Sequence, residues 1–315
     1  MIKLDLITGF LGSGKTTFIK RYAEYLVSQG EKICIIENDF GAINVDMVLL
    51  KELESERCSL EMVVGGDGRE AHKRRLKTKL ISMGMLGYDR VIIEPSGIYD
   101  VDEFFDLVYE EPLDRWYEIG NCIAIINPKM SLDLSRESRY ILMSEIAVAG
   151  VTIMSRADEA TEDEKDQIIN KINTAMEEFG CKEVLDDKKI IKKAINDLDE
   201  KDLDKIKGSG YHRTSHIKIP VAQEDKYQTI FYFDYAKDKS ELTYLISAIF
   251  KDPECGNVHR IKGMVKDIDG MIYEINSTSD EIKTNLVTTE KPVLIVIGEN
   301  LNKNKLARYL GEPTL

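Results

Sequence analysis

Gly9-Phe10-Leu11-Gly12-Ser13-Gly14-Lys15-Thr16 carries the full spacing of a phosphate-binding loop: spaced glycines, then a lysine and a hydroxyl residue. Glycines let a backbone curl until successive N–H groups point inward at phosphate oxygens, and a helix N-terminus behind them adds partial positive charge. Lys15 can then reach β- and γ-phosphates, and the Thr16 hydroxyl can hold Mg²⁺, with Gly12, Ser13, Gly14 and Thr17 completing the cradle. A glycine-rich turn before an ordinary helix is the bland alternative, but it would not need every position filled. The chemistry implied is binding of a nucleoside triphosphate.

Such a loop has to sit between a buried strand and a helix. Leu4-Asp5-Leu6-Ile7-Thr8 reads as the strand, and the residues from Thr17 onward open a helical pattern. Apolar runs of strand length recur at 32–37, 90–94, 122–126 and 151–154, with a shorter one at 60–64. Helical patterns lie between them at 49–56, 69–84, 101–110, 136–147 and 161–178. Strands alternating with helices predict an α/β P-loop NTPase fold, a mostly parallel sheet with helices on both faces. An Asp- and Lys-rich stretch at 186–207 leads to Gly208-Ser209-Gly210, a candidate linker. Beyond it, a strand at 228–235, a helix at 238–250, three or four further strands and a short helix at 302–309 predict a small α+β C-terminal domain. The expected division is therefore 1–207 and 208–315.

The 315 residues, 43% hydrophobic and 31% charged, suit a globular chain of about two domains. A net charge of −13 argues against a nucleic-acid partner, because phosphate contacts need Lys and Arg. No apolar run approaches the ~18 residues of a membrane span. The first strand runs straight into the phosphate loop, so no cleavable signal peptide is expected. Five cysteines at 34, 58, 122, 181 and 255 stand apart, as expected of reduced thiols in the cytoplasm.

The phosphate loop does not choose between ATP and GTP. Ser155-Arg156-Ala157-Asp158 does, at the end of a buried strand where GTPases place Asn-Lys-x-Asp. Its last carboxylate can accept two hydrogen bonds from guanine N1 and N2, a pairing adenine cannot offer. Arg156 can lie over the purine on its aliphatic stem, and Ser155 is a weaker stand-in for Asn. The same four residues could instead be a polar helix-start turn with Asp158 near an N-cap. Position in the chain favours guanine.

These motifs together resemble a known family. The phosphate loop through Thr17, then Glu37-Asn38-Asp39-Phe40-Gly41 with Asp46, then Ile93-Glu94-Pro95-Ser96-Gly97, is similar to the CobW-like branch of the CobW/HypB/UreG GTPases. The likeness continues through Tyr227-Gln228-Thr229, Gly256 to Gly263 and Leu294 to Gly298. It implies a Mg²⁺-dependent GTPase acting as a switch or chaperone for a client protein, a metalloenzyme or corrinoid protein. Glu94 matches the family's Glu-x-x-Gly and is a candidate for a water-mediated Mg²⁺ contact. Glu37 and Asp46 flank a loop that could close on the γ-phosphate and organise Mg²⁺ or the attacking water; each could equally cap an element. The family's Cys-x-Cys-Cys is missing, since Gly65-Gly66-Asp67-Gly68-Arg69 stands there, and Ala42 follows Phe40-Gly41 where an acid is usual. No tightly bound transition metal is expected, because Glu37, Asp67, Cys58 and His72 have no spacing that gathers them on one ion. A nucleotide-binding interaction module with little hydrolysis is the alternative, and a small-molecule kinase a more distant one. The basic run of Arg69, His72, Lys73, Arg74, Arg75, Lys77 and Lys79 reads as a solvated helix face or a contact for an acidic partner. His212 and His216 lie four apart but off any one helix face.

Overall fold

The computed structural model describes residues 1–39, 50–64, 69–131, 133–219, 227–287 and 292–314. Seven strands form one sheet: β1 (Ile2–Thr8), β2 (Ile33–Asp39), β3 (Cys58–Val64), β4 (Arg90–Pro95), β5 (Tyr117–Ile126), β6 (Val151–Met154) and β7 (Ile190–Ile191). Their order is β3-β2-β4-β1-β5-β6-β7, and every pairing is parallel. Near-continuous apolar runs such as Val91-Ile92-Ile93 follow from burial on both faces. On one face Ile7, Ile35, Ile92 and Ile125 pack with Phe18, Ile19, Tyr22 and Leu26 of helix Lys15–Ser28. On the other, Leu4, Leu6, Ile36 and Ile93 pack with Leu76 and Leu80 of helix Arg69–Gly84 and with Phe104 of helix Val101–Val108. Strand order reverses about β1, which opens a crevice at the carboxyl ends of the strands, where such sheets bind ligands.

The chain divides into two compact units, Met1–Val221 and Ala222–Leu315. The second holds β8 (Tyr227–Phe233), β9 (Asn257–Lys266), β10 (Ile272–Ser277), β11 (Ile282–Leu286) and β12 (Val293–Glu299). They form an antiparallel sheet in the order β11-β10-β9-β12-β8. Leu242, Ile246 and Ile249 of helix Lys239–Lys251, with Leu306 and Leu310 of helix Lys303–Leu310, cover one face of it.

Gly208-Ser209-Gly210, read from composition as a linker, is bonded into the first unit instead. The Gly210 N–H donates to Asn121 Oδ1 at 2.9 Å, and Gly210 O accepts from the Cys122 N–H at 2.9 Å. Downstream, the His212 N–H donates to Val148 O and the Ile217 N–H to Phe179 O. The expected helix over 49–56 is a single 3-10 turn, Lys51–Leu53, in its described part. The Asp- and Lys-rich stretch is structured too. It supplies β7 and helix Glu200–Lys207, whose start is closed by reciprocal hydrogen bonds between Asp199 and Asp202.

Candidate functional site

β1 brings the chain to the crevice at Thr8, and helix Lys15–Ser28 carries it away. Gly14 is the N-cap of that helix at φ +99°, a backbone region that strains any side chain. No side chain caps the helix and no acid lies in its first turn. Helix Glu162–Glu178 is built the other way: Thr161 and Glu164 cap it reciprocally, and Glu162, Asp163 and Glu164 fill its first turn. The first amides of Lys15–Ser28 are thus left for an anion, which the helix dipole favours. Lys15 is buried, and its ammonium donates to Gly9 O at 2.9 Å.

Two buried carboxylates flank this loop. Thr16 Oγ1 donates to Glu94 Oε1 at 3.0 Å, so the last side chain of the loop and the end of β4 meet directly. Glu37 pairs in register with Glu94 on the neighbouring strand. Residues in register on parallel neighbours project from the same face, here the face that carries Ile35, Ile92 and helix Lys15–Ser28. Glu37 and Glu94 are 2% and 5% exposed. A hydroxyl and two hard carboxylates at a phosphate loop fit Mg²⁺. Gly97 then brings the segment after β4 against the loop. A Cβ there would lie 2.7 Å from Leu11 N and 2.8 Å from Leu11 Cα, so no larger residue fits. Asp46, Ala42, Gly66, Asp67 and Gly68 lie outside the described residues.

The guanine-reading candidate sits beside the phosphate loop. Ser155 is buried, and its hydroxyl faces Ser13 O at 2.6 Å and Ile126 O at 3.1 Å, donating to one at a time. Sequence reasoning took Ser155 as a weaker stand-in for the Asn of Asn-Lys-x-Asp; its side chain here faces the phosphate loop and ties the two segments together. Arg156 adopts φ +52°, and Asp158 is exposed.

Other candidates disperse. Lys73 and Lys77 both pair with Glu110 at 2.7 Å and Lys79 pairs with Glu61 at 2.7 Å, while Arg74 and Arg75 are exposed. His72 is buried. His216 Nε2 lies 3.3 Å from the Tyr140 hydroxyl, and burial lowers its pKa. Cys58 is paired with Ile33 at the start of β2, four residues before Glu37. That separation is about 13 Å along the strand. Its thiol is pushed up to about 11 by burial, chiefly, and by Glu54. Among the described residues no cluster of three or more His, Cys, Asp or Glu could hold a metal ion.

One residue had no motif to announce it. Glu145, in helix Arg136–Ala147, is fully buried and faces Thr8, Gly9 and Lys15. Its only sequence signal is a charge inside the apolar run Ile141-Leu142-Met143-Ser144-Glu145-Ile146-Ala147-Val148.

A phosphate loop at the centre of a parallel sheet, with Thr16 and a strand-end carboxylate in contact, defines a P-loop NTPase. A family model of the CobW/HypB/UreG nucleotide-binding domain matches residues 4–181. The chain belongs to that family of P-loop GTPases. It is 28% identical over 162 residues to zinc chaperone YeiR of Escherichia coli K12, covering 51% of this chain and 48% of that protein. It is 27% identical over 171 residues to zinc chaperone YjiA of the same organism, covering 52% of each. The matched part thus spans about half the length of these curated relatives. The crystal structure of Zn(II)-bound YjiA GTPase from E. coli aligns at TM-score 0.37 and 18% identity, over 98% of this chain and 97% of that one.

Proposed function

We propose that this chain binds and hydrolyses GTP with Mg²⁺ and acts as a cytoplasmic switch on a protein client, a metalloenzyme or corrinoid protein. The observation that carries the reading is the 3.0 Å contact between Thr16 and Glu94 beside a buried Lys15. Lys15 leaves Gly9 O for the β- and γ-phosphate oxygens and offsets charge that develops as the bond to the leaving phosphate lengthens. The uncapped amides of residues 14–17 hold the phosphates in line. Thr16 and Glu94 are the residues that would hold Mg²⁺, which supplies Lewis-acid stabilisation of the same charge. Glu37, on the neighbouring strand end, would orient the attacking water or help hold Mg²⁺, and Asp46 is proposed for the same role. Asp158 reads guanine N1 and N2, Arg156 covers the base, and Ser155 sets the distance between base and phosphate loop.

Purified protein should turn over GTP only with Mg²⁺, and Lys15→Ala should abolish turnover while weakening GTP binding more than GDP binding. Turnover at the original rate in Lys15→Ala would place the site elsewhere.

The two relatives named as zinc chaperones make metal delivery the natural comparison. We propose that this chain has no transition-metal site tighter than about micromolar in its nucleotide-binding unit, and that what it delivers or releases is a protein partner. The missing cysteine cluster and the place of Cys58 in the core support this, since thiolates are the soft ligands such ions need. Metal analysis after dialysis against a mild chelator should find none; one retained equivalent of zinc or cobalt would contradict it.

A further inference from the structure

Glu145 is a buried acid beside the phosphate loop for which hydrolysis has no use. Helix Arg136–Ala147 lays it against the end of β1, at 0% exposure. The Thr8 hydroxyl and the Gly9 amide face its carboxyl from β1 and the loop, and among the described residues Lys15 is the charged group that acts on it. Neither carboxyl oxygen, nor the Thr8 hydroxyl, completes a regular hydrogen bond among the described residues. The Lys15 ammonium meanwhile rests on the carbonyl of the same Gly9 whose amide faces Glu145. A single turn of backbone thus joins the lysine that should hold phosphate to an incompletely compensated carboxyl.

We propose that Glu145 is a positioning residue of the phosphate loop: in its ionised form it holds Lys15 toward Gly9 when no phosphate is bound, so that nucleotide binding to that form takes up a proton at this carboxyl. This rests on the loop being the GTP site. Burial pushes the Glu145 pKa up to about 8, against the pull of Lys15, Thr8 and Gly9. When phosphates draw the ammonium away, the carboxyl loses the opposite charge of Lys15 and gains a negative neighbour. Both changes favour the neutral acid. Above pH 8 the unliganded protein is mostly ionised at Glu145 and the complex is not, so binding must consume a proton and weaken as pH rises.

Calorimetric titration with GTP at pH 8.5, in two buffers of different ionisation enthalpy, reads the protons directly where the phosphates are already ionised. The unmodified protein should take up about half a proton or more per GTP, and Glu145→Gln none. Between pH 7 and 8.5 GTP affinity should fall about three- to fivefold more in the unmodified protein than in Glu145→Gln. Glu145→Asp, which keeps a carboxyl, should retain uptake with a displaced midpoint. A residue that served packing alone would lower affinity or stability equally at every pH and leave uptake unchanged. No uptake in the unmodified protein, or equal uptake in Glu145→Gln, overturns the inference and leaves the GTP site standing. Absence of GTP binding at every pH overturns both.

Discussion

Asp5 and Glu145 are both fully buried carboxyls against β1, the first in mid-strand and the second at the strand's end. Asp5 is saturated. Arg90 Nη1 donates to its two oxygens at 2.8 and 2.7 Å, the Tyr22 hydroxyl donates at 2.9 Å, and Asn121 adds its backbone N–H at 2.9 Å and its side-chain amide at 3.2 Å. Those partners come from β4, helix Lys15–Ser28 and β5, so one carboxylate clamps three elements. Asn121 extends the clamp to Gly210. Glu145, by contrast, has one opposite charge and loose donors among the described residues. A fully satisfied buried network rigidifies a core, whereas an incomplete one is costly and responds to whatever arrives beside it. The lesson is to separate architecture from function among buried charges by counting partners. The carboxyl with spare capacity stands beside the phosphate loop.

The comparison breaks most sharply at Arg90. Arg90→Ala leaves Asp5 buried without its cation and should cost about 3–5 kcal/mol of folding stability. Denaturant unfolding measures it, and a loss below about 1 kcal/mol would show that Asp5 is not held as described. A smaller effect sharpens the other side. Glu145 has a folded pKa raised to about 8 from an ordinary 4.5. The folded state therefore holds a proton that the unfolded chain releases between those values. Its stabilising share is complete below about pH 4.5 and is lost as pH rises through 8, by about 1.4 kcal/mol per pH unit at the steepest. Unfolding free energies at pH 5.5, 7 and 8.5 should therefore decline more steeply in the unmodified protein than in Glu145→Gln. Parallel profiles would remove the contrast with Asp5.

Much of the first unit was legible because its chemistry is contiguous. Gly9 to Thr16 states its own strand-loop-helix context, and helices 69–84 and 136–147 follow their periodicity. Glu94 was legible as a strand-end acid, but its direct contact with Thr16 depends on β4 lying next to β1, which sequence does not print. Ser155 was read only as a stand-in for Asn, because nothing local reveals that its hydroxyl faces Ser13 O. Glu145 carries no motif, since its partners lie on β1 and in the phosphate loop, far away in the chain. The boundary was misjudged at Gly208-Ser209-Gly210 because small polar residues look like a tether. Their backbone hydrogen bonds to β5 are invisible until β5 has a neighbour.

The central claim is that the loop from Gly9 to Thr16 and the carboxylate of Asp158 together define a GTP site. Competition binding of GTP and ATP to the purified protein, with Mg²⁺ and at one fixed pH, tests it most directly. GTP should bind at least about ten times more tightly, and Asp158→Asn should erase the difference, because a charge-assisted bidentate pair gives about one to two decades of affinity. Equal competition by ATP in the unmodified protein would contradict the account.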